Sequence, residues 1–229
     1  MGIRKESWVE KTLRELQMRL FLARHGQSIW NAQNRFTGWI DVPLSQLGMQ
    51  EAIELGEHLR EQDINVIYTS RLMRSSMTAL LAMVHLGKES CIMHEDARYE
   101  TTLDTALIPV YMTEAFNERH YGILQGHNKD KMIAIHGSTQ IQQWRRSFRE
   151  APPQGESLYD TKMRAVSVFV KDVIPLLSTH NVLICAHGNS LRALIMHIES
   201  LSEVEIPLLE IATGQVRAYD YHEGVFTKR

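Results

Sequence analysis

Short apolar runs alternate along the chain with stretches of helical period. Leu20 to Ala23 is an apolar run that stops at Arg24-His25-Gly26, the pattern of a buried strand ending in a loop. Ser45 stands as a cap before a helix in which Leu47, Ala52, Leu55 and Leu59 fall near helical spacing. Val66 to Tyr68 reads as a second strand, with Ser70 as the cap of a helix running to about His85. The clearest buried strand is Asn181 to Ala186, which also ends in a His-Gly pair, His187-Gly188. Asn189 or Ser190 then opens a helix through Ile198, and Val216 to Tyr221 reads as the final strand. Between Leu86 and Glu118 no period is sustained, so this segment reads as an irregular excursion that could form a lid wall.

Strand, turn and helix recurring in this order predict an α/β fold: a three-layer sandwich with a mostly parallel central sheet and helices on both faces. Ligands collect at the carboxyl ends of such strands. Two predicted strands deliver His-Gly pairs to that edge, and a third delivers Thr69-Ser70-Arg71. No repeat or low-complexity tract is present. The expected organisation is one domain over residues 19–229, preceded by a charged, amphipathic extension over residues 1–18 that is dispensable or arises from an upstream start.

Composition narrows the class. The 229 residues are 44% hydrophobic and 23% charged, ordinary globular values, and no run approaches the ~18 apolar residues of a membrane span. The expectation is a cytoplasmic protein without a membrane partner. A net charge of −2 argues against nucleic acid as a partner and means that any cationic site must be built by local clustering. Cys91 and Cys185 lack metal or redox spacing and read as reduced core residues. Despite 11 histidines there is no HxH, HExxH or HxxxH arrangement, so no metal site is expected. P-loop, dinucleotide and α/β-hydrolase signatures are likewise missing.

The candidate chemistry lies in "LARHGQSIWN" (22–31) and "CAHGNSLRAL" (185–194), two His-Gly turns at strand ends that could face one another across one site. A helix opening behind the second favours a bound anion. A neutral imidazole is a competent nucleophile toward phosphorus, and phosphoryl transfer rests largely on cations placed around three oxygens. Arg24, Arg74, Lys129, Arg145 and Arg146 are suggestively placed cations, although an arginine pair on a helix is commonly just solvated. A carboxylate must also carry a proton. Glu118, beside Arg119, His120, Tyr121 and Gly122, is a candidate, but spacing does not select it over Glu114 or Glu156.

With these residues in view, the chain resembles the cofactor-dependent phosphoglycerate mutases of the histidine phosphatase superfamily. The matching runs are "ARHGQSIWNAQNRFTGWIDVPLSQLG", "YTSRLMRSSMTA", "NERHYGILQGHNK", "QWRRSF", "GESL" and "AHGNSLRAL", in the family's order from about Leu20 to Tyr221. The RHG run marks the superfamily, phosphatases included; "RFTGW", "NERHYG" and "QWRR" are more specific to the mutase branch. The resemblance implies that His25 carries the phosphoryl group, that Glu118 donates and accepts the proton, and that His187, Arg24 and Arg74 stabilise the group in transfer. It places Ser28, Asn31, Thr37, Gly38, Arg119, Tyr121, Lys129, Arg145, Arg146, Gly188 and Asn189 around the substrate. It further implies 3- and 2-phosphoglycerate as substrates, 2,3-bisphosphoglycerate as the primer, no metal, and a homodimer as a family-level expectation. A phosphatase acting on small phosphomonoesters is the alternative on the same scaffold. The chain departs from the family pattern at Gln27, where glutamate is usual. It is also longer over 86–115 and shorter over 148–156 and at the C-terminal tail, the short loop pointing to a bacterial source.

Overall fold

The structure, a computed structural model, describes residues 18–88, 90–93 and 107–229, with Ser90–Met93 as backbone only. The extension over 1–17, the middle of the 86–118 excursion and the side chain of Cys91 lie outside the described residues. Strand β1 is Met18–Arg24, so Met18, assigned above to the extension, already pairs with Tyr221. A short helix α1 (Ile29–Ala32) precedes α2 (Gln46–Leu59), β2 (Val66–Ser70) and α3 (Met73–His85). Strands β3 (Ser90–Met93) and β4 (Ile108–Thr113) follow, then helices α4 (Lys129–His136), α5 (Ser138–Arg146) and α6 (Leu158–Val168). The chain ends with β5 (Val182–Ala186), α7 (Gly188–Ile198), β6 (Val216–His222) and β7 (Val225–Lys228).

Among the described residues seven strands form one sheet in the order β3-β4-β2-β5-β1-β6-β7. The pairs from β3 to β1 are parallel; β6 and β7 close the other edge antiparallel. Every residue of β5 is buried, and its side chains alternate between two cores as the period of two requires. Val182, Ile184 and Ala186 join Leu20, Leu22 and Tyr68 against Leu158, Phe169 and Leu191 on one face. Leu183 and Cys185 join Phe21, Ala23 and Ile67 against Leu55, Leu59, Ala79 and Met83 on the other. The three-layer sandwich is therefore present, with Cys185 a free, buried thiol whose pKa burial pushes up to about 12.

Five local expectations are corrected. The excursion carries β3 and β4; each run is too short to show a period, and parallel pairing, β4 on β2 and β3 on β4, makes them strands. Ser70 ends β2 rather than capping α3, whose N-cap is Leu72 without a side-chain bond. His187 itself caps α7, with Ser190 Oγ accepting from His187 N at 3.1 Å, and β7 rather than β6 is the last strand. Ser45 caps α2 as expected, accepting from Gly48 N, but Leu47 faces solvent while Ala52, Leu55 and Leu59 are buried.

A third, small cluster of Phe36, Leu124, Met132 and Ile141 lies apart from the sheet. It supports α4 and α5, which stand as a wall over the strand ends.

Candidate active site

The ends of β1 and β5 place His25 and His187 side by side, ring centroids 4.8 Å apart, both buried. The turn after β1 packs so tightly on α2 that a Cβ on Gly26 would meet the Gly48 carbonyl oxygen at 2.2 Å, so glycine alone permits that approach. His25 Nδ1 lies 2.6 Å from the Gly26 carbonyl oxygen and donates to it, which leaves Nε2 unprotonated. Burial first, and then Arg74 and Arg24, hold the His25 pKa well below its ordinary value, so the ring is neutral at neutral pH. His187 is held neutral by burial, Arg74 and His25 in the same way. Ser70 Oγ fixes its Nε2 at 2.7 Å, while its Nδ1 is buried without a partner.

Cations close round this pair. Arg74 is buried and donates to the carbonyls of Gly38 (2.8 Å) and Ile40 (3.1 Å); burial lowers its pKa to about 10. Arg24 Nη1 donates to the Ile211 carbonyl at 2.6 Å. From the wall come Lys129, Arg145 and Arg146, with burial as the main cause lowering Lys129 to about 8. The cleft between, about 150 Å³, is lined by Arg24, Arg35, Arg74, Lys129, Arg145, Arg146 and Arg192, against two carboxylates, Glu118 and Glu210. Such an excess selects a ligand with several negative charges.

Glu118 is placed by a dense set of bonds. Its Oε1 accepts from the backbone N–H groups of Arg119 (2.8 Å) and Asn189 (3.1 Å). Its carbonyl accepts from Trp39 Nε1 (2.5 Å) and Arg164 (2.9 Å), and Arg164 also holds the carbonyls of Ala115 and Asn117. Oε2 remains toward Gly188 and the cleft. The ambiguity among three glutamates is thereby resolved geometrically: Glu156 is paired with Arg164 at 2.9 Å, Glu114 is exposed, and of the three only Glu118 lines the cleft. Gly122 is required for a different reason: its φ is +53°, and a Cβ there would meet the Pro153 carbonyl oxygen.

Of the residues anticipated from sequence, Arg24, His25, Asn31, Thr37, Gly38, Arg74, Glu118, Tyr121, Lys129, Arg145, Arg146, Gly188 and Asn189 line the cleft. His187 lies directly beneath, against His25. Ser28 does not line it: fully buried, it caps α1 and bonds Asn31. Arg119 is also a layer behind, donating to Asn189 Oδ1 at 3.0 Å and to the Arg145 carbonyl. Gln27 turns away to Ser45, whose hydroxyl donates to its Oε1 at 2.9 Å, so its neutral amide is not among the lining groups. Arg35, Phe36, Arg192, Glu210 and Ile211 were missed. The first three sit inside the matching runs and were discoverable there; nothing in the sequence marks Glu210.

Buried polar atoms without partners show what the cleft awaits. Six of the eight such atoms among the described residues belong to the site: Arg24 Nε, Thr37 Oγ1, Arg119 Nε and Nη1, His187 Nδ1 and Arg192 Nε. An unsatisfied buried donor costs about 1–3 kcal/mol. Their concentration here fits a phosphorylated ligand of the kind 2,3-bisphosphoglycerate represents. No group of three or more His, Cys, Asp or Glu residues among the described residues is arranged to hold a metal.

Two neutral imidazoles at strand ends, ringed by guanidinium groups and faced by one positioned carboxylate, make a site suited to phosphoryl transfer through histidine. The chain belongs to the histidine phosphatase superfamily (branch 1), whose family pattern matches residues 20–229. A 2,3-bisphosphoglycerate-dependent phosphoglycerate mutase of Chlamydia trachomatis is 48% identical over 217 residues, 91% of this chain and 96% of that one. The protein of the same name from Chlamydia pneumoniae is 48% identical over 212 residues, 88% and 93% of the two chains. Among solved structures, Bacillus stearothermophilus YhfR superposes with a TM-score of 0.75 at 25% identity, covering 92% of this chain and 95% of that one. A mycobacterial glucosyl-3-phosphoglycerate phosphatase superposes with a TM-score of 0.72 at 26% identity, covering 93% and 97%.

Proposed function

We propose that this chain interconverts 3-phosphoglycerate and 2-phosphoglycerate through a phosphohistidine at His25. The observation that carries the reading is the second group of cations, Lys129, Arg145 and Arg146, on the wall opposite the histidines. A phosphomonoester needs one anionic subsite; a phosphoglycerate, with a carboxylate as well, needs two. The names of the Chlamydia relatives support the same reading.

In this mechanism the lone pair of His25 Nε2 attacks phosphorus and the bond from phosphorus to the leaving hydroxyl oxygen breaks. Glu118 Oε2 gives that oxygen its proton, then removes a proton from the accepting hydroxyl on return. Arg24 and Arg74 balance the charge on the phosphoryl oxygens. Ser70 Oγ, which also accepts from Leu72 N–H at 3.1 Å, holds His187 Nε2 at 2.7 Å and so orients the ring, whose unpartnered Nδ1 is the atom left to bond a phosphoryl oxygen. Lys129, Arg145 and Arg146 hold the carboxylate end, while the wall keeps water from phospho-His25. 2,3-Bisphosphoglycerate supplies the phosphoryl group that primes His25; the orphaned guanidinium nitrogens of Arg24 and Arg192, both in the cleft lining, would hold its charge.

We assign residues 18–229 as the catalytic unit of a cytoplasmic bacterial enzyme, in homodimers, with the extension ahead of β1, residues 1–17, dispensable. No helix among the described residues is long and apolar enough to cross a membrane. The phosphatase name of one solved relative keeps discharge to water as the competing reading. A coupled assay with 3-phosphoglycerate, with and without catalytic 2,3-bisphosphoglycerate, separates them. 2-Phosphoglycerate forming only after priming, with slow phosphate release, is the expected result; release outrunning isomerisation would make the chain a phosphatase.

A further inference from the structure

Seven cations and two carboxylates line the cleft, and the mechanism uses only one of the carboxylates. The other, Glu210, precedes β6 and forms an ion pair with Arg146 in which Oε1 lies 2.5 Å from Nη2. The two partners differ in exposure: the Arg146 side chain is 22% exposed and that of Glu210 71%. The next residue is fixed, since Ile211 is buried and its carbonyl accepts from Arg24 Nη1 at 2.6 Å. The backbone at 210–211 is therefore anchored on the histidine end of the cleft, while the Glu210 carboxylate hangs over the wall end and can swing into water. Arg146 is fixed in turn by its place in the last turn of α5, where the helix dipole favours a cation.

An acidic side chain in a cleft built for anions works against the ligand unless it serves a purpose. We propose that Glu210 is an exchangeable counter-anion for Arg146 and a determinant of ligand selectivity. It covers the Arg146 guanidinium in the free enzyme, and the second anionic group of the ligand displaces it. The inference rests on the phosphoglycerate reading above, because it requires a ligand that reaches both ends of the cleft. An exposed ion pair is weak, so displacement is easy, yet it lowers affinity for any ligand that must make it. Inorganic phosphate, satisfied at the histidine end by Arg24 and Arg74, leaves the pair undisturbed. 2,3-Bisphosphoglycerate, with anionic groups at both ends, does not. Glu210 thus weakens the hold on the doubly phosphorylated species, which must loosen to reorient, without weakening the phosphoryl subsite at His25.

The test is titration calorimetry on the full chain at low ionic strength, where such charges are least screened. The ligands are 2,3-bisphosphoglycerate and inorganic phosphate; the proteins are the wild type, Glu210→Gln, Arg146→Ala and the double variant. Glu210→Gln should tighten bisphosphoglycerate about three- to fivefold, with phosphate changed less than about twofold, the upper part of the range expected of one exposed pair. In the Arg146→Ala background the Glu210→Gln effect on bisphosphoglycerate should shrink below about twofold, because its partner is gone. Equal or weaker bisphosphoglycerate binding by Glu210→Gln overturns the inference and leaves the proposed function standing. An effect that persists undiminished without Arg146 also overturns it, since Glu210 would then act as a general repulsive charge. If the wild type and Glu210→Gln bind phosphate but neither binds bisphosphoglycerate, the proposed function falls together with the inference.

Discussion

The two ends of the cleft are built differently. The histidine end stands on β1, β2 and β5, with cores on both faces of the sheet; His25 and Arg74 are buried, and its groups are bonded to backbone: His25 to Gly26, Arg74 to Gly38 and Ile40, Arg24 to Ile211. The wall end stands on two short helices and a cluster of four buried residues, and its Lys129, Arg145 and Arg146 are half-buried. Chemistry that demands fixed neutral imidazoles is placed on the part least able to move. Recognition that must let a ligand enter, turn and leave is placed on the lighter part.

That contrast is breakable. His25→Ala removes the nucleophile and should lower kcat by more than about three orders of magnitude with little change in Tm, measured with the coupled assay and a thermal melt. Glu118→Gln keeps the shape and the two backbone bonds but loses proton transfer, so kcat should fall about 10²–10⁴-fold while KM moves little. At the wall the pattern should invert. Arg145→Ala should raise KM about 10- to 100-fold, the worth of one charge-assisted hydrogen bond, and lower kcat less.

Core truncations extend the comparison. Ile184→Ala, in the fully buried β5, should destabilise the whole protein by about 2–5 kcal/mol in chemical denaturation. Ile141→Ala, in the small cluster, should raise KM and local amide exchange at α4 and α5 more than it lowers global stability. The smallest effect is a pH dependence. Burial and the neighbouring Arg145 and Arg24 hold Lys129 at about 8 in the free site, and a bound anion favours its charged form. Affinity for phosphoglycerate should therefore be full below about pH 8 and decline above it, by up to about tenfold, and Lys129→Met should remove that decline.

The same contrast explains what was legible in the sequence. β1, β5 and their His-Gly turns could be read because a strand buried on both faces is a continuous apolar run and because the chemistry follows it directly. β3 and β4 escaped because their strand character comes from parallel pairing, β4 with β2 and β3 with β4. Ser70 was mistaken for a cap because a serine before a helix looks the same whether its hydroxyl serves the helix or His187. The wall cations could be named only through the resemblance, since an arginine pair at the end of a polar helix has no local mark of burial. Glu210 could not be found at all, because its significance lies in a partner 64 positions away, Arg146. Glu118 stood undecided among three glutamates until Asn189, Trp39 and Arg164 were seen to hold it in place.

The central claim is that His25 Nε2 carries the phosphoryl group, and it can be observed directly. The protein is treated with 2,3-bisphosphoglycerate and the linkage read by phosphorus NMR and peptide mapping under alkaline conditions. One phosphohistidine on His25 at Nε2, lost in His25→Ala, is the predicted result, because Nδ1 is committed to the Gly26 carbonyl. Label at Nδ1, at His187, or on any residue of the His25→Ala variant would contradict it.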